Sequence, residues 1–228
     1  MTLCIEGFLA FDDSYAGKRR GVLVVHEWKG IDTHTRRRAE MLAEKGYIAV
    51  AIDMYGKGVR AETHEEAGKL SGIYRKDRQL MRDRALAGLE VLKRHKMTDP
   101  LKIAAIGYCF GGQTVLELAR SGADLKGVVS FHGGLDTPNP DDAKNIKGKV
   151  LVCHGGDDRS ISNEQVLAFH EEMRKAWVDW QILIYGGAVH SFTVKEAGND
   201  PSQGMAYNEN ADRRSWKAMQ EFFNEIFQ

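Results

Sequence analysis

The chain has 228 residues, which is enough for one sizeable hydrophobic core, and we expect a single domain over residues 1–228. Lys plus Arg and Asp plus Glu each total 32, so the formal net charge is zero and gives no general attraction to nucleic acid or to an anionic membrane surface. No apolar run approaches the roughly 20 residues that a membrane-spanning helix needs, so we also expect no membrane partner.

Short apolar runs alternate with longer stretches of helical periodicity along the chain. Residues 3–11 are expected to form an antiparallel edge strand, and further strands are predicted at 21–25, 47–53, 101–106, 125–131, 148–154 and 179–185. Helices are predicted at 35–45, 78–95, 113–120, 163–176 and 210–227, and Gly46 is expected to end the first of them. Residues 54–72, 133–147 and 193–209 are expected to be loops.

This alternation predicts an α/β fold with a mostly parallel central sheet and helices on both faces, because strands that are apolar throughout are buried on both sides. Functional groups in such sheets gather at the carboxyl ends of the strands. The three predicted loops each leave such an end, so we expect them to form the rim of a pocket.

The segment Gly107-Tyr-Cys-Phe-Gly-Gly112 lies between a predicted strand and a predicted helix. It has the form Gly-x-nucleophile-x-Gly, with Cys109 at the apex of a sharp turn. Gly107 and Gly111 lack a Cβ, so the strand and the helix are able to approach closely around the apex. A thiol placed there points away from the sheet and sits at a helix N-terminus, and both features favour a nucleophile.

A thiol nucleophile needs a base, and the base needs an orienting carboxylate. Asp158 follows the strand predicted at 148–154 and fits an Asp-x-x-Ile-x turn, although the adjacent Asp157 is an alternative. His190 follows the last predicted strand, after two glycines that allow a sharp turn. Cys109, Asp158 and His190 therefore occur in the order nucleophile, acid, histidine, each soon after a strand.

Each of the three residues alone also has a simpler interpretation. Cys109 fits a tight turn that carries a small apolar residue, Asp158 fits a cap of the following helix, and His190 fits an ordinary loop histidine. The ordered set of three favours the catalytic interpretation over these.

On these residues, the chain resembles the dienelactone hydrolase family of the α/β-hydrolase superfamily over nearly its whole length. The resemblance implies an α/β-hydrolase fold and a Cys109–Asp158–His190 triad that cleaves a small ester or lactone through an acyl-enzyme. The segments that carry it are Val25-His-Glu-Trp-Lys-Gly30, Ile52-Asp-Met-Tyr-Gly56, Gly107-Tyr-Cys-Phe-Gly-Gly112, His154-Gly-Gly-Asp-Asp158 and Gly187-Ala-Val-His-Ser-Phe192.

The resemblance also implies a role for Glu27, since the family places a glutamate here that contacts the nucleophilic cysteine. In this picture the resting thiol is neutral, and substrate binding moves Glu27 to take the thiol proton, leaving a thiolate beside a histidinium. Two backbone N–H groups are expected to form the oxyanion hole. One belongs to Phe110, directly after the nucleophile, and the other, by resemblance, to Trp28.

One position departs from the family, which binds the substrate carboxylate with arginines. Val194 occupies the place of the arginine that follows the catalytic histidine by four residues. Arg75, Arg78 and Arg82 are candidates for the second arginine, but each also fits a solvated helix surface. His132 is expected either to touch the substrate or to line a loop.

The predicted activity is a dienelactone hydrolase-like cysteine hydrolase of carboxylic ester bonds, of the carboxymethylenebutenolidase type, with a small-molecule ester or lactone as its partner. A carboxylesterase or thioesterase acting on another small acyl substrate is the alternative. A noncatalytic redox-sensing or binding protein is less favoured. The chemistry requires no cofactor and no metal, and we expect a monomer or a weak homodimer.

The cysteines and the N-terminus indicate the cellular compartment. Cys4, Cys109 and Cys153 are an odd number at wide spacing, which argues against a disulfide framework and for a reducing environment. The first residues lack the basic and apolar regions of a signal peptide. We therefore expect a cytoplasmic protein.

Overall fold

In residues 6–228, which the computed structural model describes, seven strands form one sheet. The strands are β1 (Gly7–Ala10), β2 (Arg19–Val25), β3 (Ile48–Ile52), β4 (Thr98–Tyr108), β5 (Gly127–Phe131), β6 (Lys149–Gly155) and β7 (Trp180–Tyr185). They lie in the order β1-β3-β2-β4-β5-β6-β7, with β1 antiparallel to β3 and all other neighbours parallel. The predicted α/β fold is confirmed, and the part of the predicted edge strand at residues 3–5 lies outside the described residues.

The interior strands β3 and β5 are buried at every position because both faces of the sheet are covered. In β2, Val22 and Val24 belong to one hydrophobic core, while Leu23 and Val25 belong to the other. All four side chains are fully buried. Since burying an aliphatic side chain contributes about 1.5–3 kcal/mol, each core helps to hold the sheet between its helices.

The helices are divided between the two faces of the sheet. They are α1 (Thr33–Ala43), α2 (His64–Lys76), α3 (Arg78–Arg94), α4 (Phe110–Arg120), α5 (Asn163–Lys175) and α6 (Glu209–Ile226). α1 and α6 pack into one core, and α2 to α5 contribute to the other. Side-chain caps fix the first turns, since Asp32 accepts the Thr35 N–H and Asn208 accepts the Ala211 N–H.

The prediction that residues 54–72 form a loop is wrong in part, because α2 begins within them. A start signal is present in the sequence, since Thr63 and Glu66 form a capping box around the first turn. Only three of the 13 residues of α2 are buried. Few of its positions therefore require an apolar side chain, and the helical period is weak in the sequence. The helix instead presents charged side chains toward the candidate site.

Most other boundaries differ from the prediction by a few residues. α4 begins at Phe110, directly after the cysteine of the turn, rather than at residue 113. Gly46 follows α1 with a φ of +85°, as glycines past a helix C-terminus commonly do. The other two predicted loops contain short 3-10 turns at Pro140–Asn145, Lys195–Ala197 and Pro201–Gln203.

The candidate site residues follow five adjacent strands of the sheet. Glu27 comes after β2, Cys109 after β4 and His132 after β5. Asp158 comes after β6, and His190 comes after β7. Because the parallel strands all end on the same side, these side chains are collected along one edge of the sheet.

Residues 6–228 show neither a membrane-spanning helix nor a cluster of metal ligands. No helix in this range is long and apolar enough to span a bilayer. Nor are three His, Cys, Asp or Glu side chains of the range grouped as the ligands of a metal ion would be. The cytoplasmic location, the single domain and the independence from cofactors remain predictions.

Gly111 is where the strand–turn–helix segment is packed most tightly against the rest of the sheet. A Cβ on this residue would lie 2.2 Å from the carbonyl oxygen of Val25, which is backbone of β2. We expect Gly111→Ala to lower the free energy of unfolding by at least about 3 kcal/mol, the upper range for overpacked positions. Urea denaturation measures the change.

Gly68→Ala is the matched control, because Gly68 lies in α2 with open space around the position of a Cβ. Alanine is the better helix former, so this variant should gain about 0.5–1 kcal/mol. A Gly111→Ala protein as stable as the wild type would contradict the packing argument.

Candidate active site

Cys109 occupies a strained turn between β4 and α4. Its φ is +53°, in the left-handed region that residues with a side chain rarely adopt. Its N–H donates to the carbonyl of Phe131 at 3.0 Å, which ties the turn to β5. Gly107 permits the turn, since a Cβ there would lie 2.0 Å from the carbonyl oxygen of Gly111. The glycines thus hold Cys109 at the start of α4.

The thiol, an imidazole and a carboxylate form a continuous chain of contacts. Cys109 Sγ lies 3.0 Å from His190 Nε2. His190 Nδ1 lies 2.7 Å from Asp158 Oδ2. The structure therefore brings together the three residues that the sequence predicts, in the geometry of a nucleophile, a base and an orienting acid.

Asp158, and not its neighbour Asp157, contacts the imidazole. Asp157 is exposed, and its N–H donates to the carbonyl of Ala188 at 2.9 Å. Ser160 donates to Asp158 Oδ1 from both its N–H, at 2.9 Å, and its hydroxyl, at 2.6 Å. Sequence reasoning gave Ser160 no role, although a serine two residues after an aspartate is the signal for this kind of turn.

The His190 imidazole and the Asp158 carboxylate each stabilise the charged form of the other. Burial alone would lower the pKa of His190, but the adjacent Cys109 sulfur and Asp158 carboxylate raise it well above its usual range. Burial would raise the pKa of Asp158, and the interactions with His190 and Ser160 outweigh it, so the pKa is lowered. The site therefore stabilises an imidazolium between a sulfur and a carboxylate.

Glu27 lies beside the histidine loop rather than in a hydrogen bond with the sulfur. Its Oε2 accepts the Ser191 hydroxyl at 3.4 Å, and its Oε1 lies 3.9 Å from His132 Nε2. Oε1 is buried without a hydrogen-bond partner among the described residues. Among the described residues, Ser191 and His132 are thus the polar neighbours of Glu27, and no hydrogen bond joins it to the sulfur.

His132 is a fully buried, neutral neighbour of the site. Its Nε2 lies 2.8 Å from Thr193 Oγ1, and its ring centroid lies 5.4 Å from that of His190. Burial, together with the charge of His190, holds its pKa well below the usual range. Of the two roles expected for His132, its full burial and its absence from the cavity lining favour the one in which it lines the loop after β5.

The backbone N–H groups of Trp28 and Phe110 lie on adjoining segments. Phe110 is the first residue of α4, where the N–H groups have no acceptor within the helix. Gly111 approaches the carbonyl groups of Val25 and His26 so closely that the start of α4 is pressed against the loop that carries Trp28. Trp28 and Cys109 both line the cavity that opens over this turn.

A cavity of about 770 Å³ opens over Cys109 and His190. Asp136 also lines it and forms an ion pair with Arg78 at 2.7 Å. The wall is positively charged on balance, which favours small anionic molecules. Sequence reasoning considered two of its cationic residues and missed the other two; the four are Arg75, Lys76, Arg78 and Arg159.

The sequence profile of the dienelactone hydrolase family matches residues 5–227. The chain belongs to this family. It is a dienelactone hydrolase-like hydrolase, so the predicted class of ester-bond hydrolase is confirmed.

Known relatives of this family member cover nearly the whole chain. Two solved structures, one called m3DLH and one described as a dienelactone hydrolase-like promiscuous phosphotriesterase from metagenomic libraries, are 42% and 43% identical to it. Each has a TM-score of 0.92 over 97% of this chain and 92% of its own. A protein of Aquifex aeolicus (strain VF5), provisionally named a carboxymethylenebutenolidase, is 29% identical over 192 residues, which are 82% of this chain and 81% of that protein.

The candidate arginines of this dienelactone hydrolase family member differ in whether they bind other side chains or line the cavity. Arg82 is engaged with Glu117 and Asp142, each at 2.7 Å. Val194, at the place of a family arginine, is buried and cannot supply a charge. Arg75 is exposed and lines the cavity. Of the three candidate arginines, Arg75 and Arg78 therefore line the cavity and Arg82 does not.

Burial raises the pKa of Glu27 to about 7, which makes the stability of the protein depend on its ionisation. In the unfolded chain a glutamate titrates near about 4.3, so the stability present below that pH is lost as the pH rises toward 7. Glu27→Gln does not ionise. Relative to the wild type, its free energy of unfolding should rise by up to about 3 kcal/mol between pH about 4.5 and 7 and then level off.

Urea unfolding of both proteins at several pH values between these limits measures the difference. A change in packing caused by the substitution would shift the free energy of unfolding by the same amount at every pH. The informative quantity is therefore how the difference between the two proteins changes with pH. A difference in stability that is independent of pH would contradict the raised pKa of Glu27.

Proposed function

We propose that this protein is a cysteine hydrolase that cleaves a small ester or lactone through a Cys109–His190–Asp158 triad and a covalent acyl-enzyme. The observation that carries the proposal is the 3.0 Å separation of Cys109 Sγ and His190 Nε2. This distance allows the imidazole to take the thiol proton directly. The carboxylate 2.7 Å from the other ring nitrogen orients the imidazole and stabilises its protonated form.

In the acylation step, the Cys109 thiolate attacks the carbonyl carbon of the ester. The carbonyl oxygen becomes an oxyanion, which the N–H groups of Trp28 and Phe110 stabilise. Each such donor contributes about 3 kcal/mol of transition-state stabilisation in enzymes of this kind. The C–O bond then breaks, and His190 gives its proton to the departing alkoxide.

In the deacylation step, water cleaves the thioester that links the acyl group to Cys109. His190 takes a proton from the water as it attacks, and the oxyanion forms in the same two-donor site. Collapse of this second tetrahedral species releases the carboxylic acid and returns the sulfur to its starting state. The cycle consumes one water per ester and requires no redox change.

Glu27 acts in this proposal as the carboxylate that gates the thiol. Its neutral form places no negative charge near the thiolate as the thiolate forms. A positive charge on His190 favours the ionised form of Glu27, because that charge lowers its otherwise raised pKa. The charge states of Glu27 and His190 are therefore coupled, and this coupling is the route by which Glu27 influences the thiolate–imidazolium pair.

The cationic wall of the cavity supports a small anionic ester or lactone as the substrate. Arg75, Lys76 and Arg159 line the space in front of Cys109, whereas Arg78 is partly neutralised by Asp136. A carboxylate on the substrate would gain charge-assisted hydrogen bonds there. Neutral carboxylic esters and thioesters are the alternative, in which these cations only face solvent.

Phosphotriesters are a second candidate substrate class. The observation that favours them is the 43% identity with the structure described as a promiscuous phosphotriesterase. A thiolate at Cys109 would attack phosphorus in place of carbon, expel an aryloxide and leave a cysteine that is phosphorylated on sulfur, whose P–S bond water would then cleave. Release of the aryloxide from a diethyl aryl phosphotriester by the wild type, and its loss in Cys109→Ala, would support this second activity; equal rates would reject it.

Replacing the proposed nucleophile tests the main proposal. Cys109→Ala should lower turnover of p-nitrophenyl acetate by at least about 10³-fold, because the remaining groups form no acyl-enzyme. A stopped-flow assay measures the rate, and mass spectrometry of the quenched wild type should find one acetyl group on Cys109. Turnover by Cys109→Ala at the wild-type rate would rule the mechanism out.

Cys153→Ala is the matched control, since it removes the other described cysteine. Cys153 is fully buried in β6, and burial raises the pKa of its thiol to about 12. This variant should retain wild-type turnover. A wild type that hydrolyses no ester or thioester of a broad panel, yet is oxidised rapidly at Cys109, would favour the redox-sensing alternative.

Replacing Arg75 tests the anionic substrate class. With the p-nitrophenyl half-ester of succinic acid, Arg75→Gln should lower kcat/KM about tenfold, which corresponds to loss of one charged hydrogen bond. With neutral p-nitrophenyl acetate the same variant should match the wild type. Lys69→Gln, which removes a charge from the exposed side of α2, is the control. Equal losses on both substrates would argue against a carboxylate contact.

A further inference from the structure

The peptide group between Glu27 and Trp28 and the one that follows it are each bound by a buried side chain, so the Trp28 N–H lies between two held carbonyls. This inference rests on the proposed function, in which the N–H of that peptide stabilises the oxyanion. The residues concerned lie in a turn closed by a hydrogen bond from the Gly30 N–H to the carbonyl of Glu27 at 3.3 Å. Such a turn alone leaves the peptide free to tilt, so the direction of its N–H needs further support.

His26 supplies the first support. Its ring is fully buried, and its Nε2 accepts the Met54 N–H at 3.1 Å. Because Nε2 is the acceptor, the ring proton is on Nδ1, which donates to the carbonyl of Glu27 at 2.5 Å. Burial lowers the pKa of His26 despite the nearby Asp53 carboxylate, so the ring stays neutral and keeps this tautomer.

Tyr55 supplies the second support. Its hydroxyl donates to the carbonyl of Trp28 at 2.7 Å. Tyr55 is itself fixed, because its N–H donates to Asp53 Oδ1 at 2.9 Å and its ring packs edge-on against His26, with centroids 4.9 Å apart. The carbonyls on both sides of the Trp28 N–H are therefore bonded to donors from the protein interior.

We propose that His26 and Tyr55 are positioning residues for the oxyanion hole, and that they set the direction of the Trp28 N–H. In a trans peptide the C=O and N–H groups point in opposite directions, so a donor that holds the Glu27 carbonyl also aims the Trp28 N–H. The same two rings pack on the ring of Phe110, with centroids 6.0 and 5.6 Å away. One buried aromatic cluster thus joins the residues that carry both oxyanion donors.

Tyr55→Phe is the principal test, because it removes one hydroxyl and keeps the ring. We expect kcat/KM for p-nitrophenyl acetate to fall about tenfold through kcat, with KM changed by less than about twofold, as loss of a contact made in the transition state predicts. Affinity for a trifluoromethyl ketone, which forms a tetrahedral adduct with the thiol, should fall by the same factor. The rate of Cys109 alkylation by iodoacetamide needs no oxyanion hole and should stay at the wild-type value.

Tyr74→Phe is the matched control, because its ring packs in the same cluster, 5.6 Å from that of Tyr55 and 5.9 Å from that of Phe110. It should leave kcat, KM, the affinity for the ketone and the alkylation rate unchanged. His26→Phe is the second variant and should repeat the pattern of Tyr55→Phe. Its refolded yield and unfolding midpoint show whether the fold is intact.

The outcomes separate this inference from the proposed function. If Cys109→Ala is inactive but Tyr55→Phe keeps wild-type kcat and ketone affinity, the positioning role is overturned and the triad stands. A loss of alkylation rate in Tyr55→Phe as large as the loss of kcat would also overturn it, since the change would then be a general disturbance of the site. Full activity of Cys109→Ala would overturn both.

Discussion

The position of α4 is the constraint on which the rest of the structure depends. At its N-terminus, Gly111 packs directly on the backbone of β2, which leaves no room for a side chain. At its C-terminus, the fully buried Arg120 makes two hydrogen bonds to Glu172 of α5, at 2.7 and 2.8 Å, and one to Glu117 at 3.0 Å. A buried charge without its partner costs several kcal/mol, so this network holds the helix in one place.

Because α4 is held at both ends, the strained turn at Cys109, directly before the helix, is also held in place. Cys109, His132 and Ser191 all have positive φ values, and all three lie around Glu27 or the imidazole. Such conformations cost of order 1–3 kcal/mol each and persist where the surrounding packing enforces them. The packed cores on either side of the sheet provide that enforcement, so the geometry around the sulfur is built before any substrate binds.

Local signals in the sequence account for most of the fold and for the order of the site residues. The apolar strands, the helix periodicity and the glycine spacing around Cys109 are each encoded within about ten neighbouring residues. α2 is the exception among the helices, because few of its side chains are buried and only the capping box at Thr63 marks it. Missing α2 also meant missing that Lys76 faces the cavity, since Lys76 lies at its end.

The sequence by itself determined that a cysteine at a glycine-flanked turn, an acid and a histidine would each follow a strand of a parallel sheet. Only the tertiary structure decided that Asp158 rather than Asp157 meets the imidazole, and that Glu27 faces Ser191 and His132 rather than bonding to the sulfur. The physical reason is distance along the chain. Hydrogen bonds between segments that lie far apart in sequence depend on how two cores pack, and no local pattern of residues records that packing.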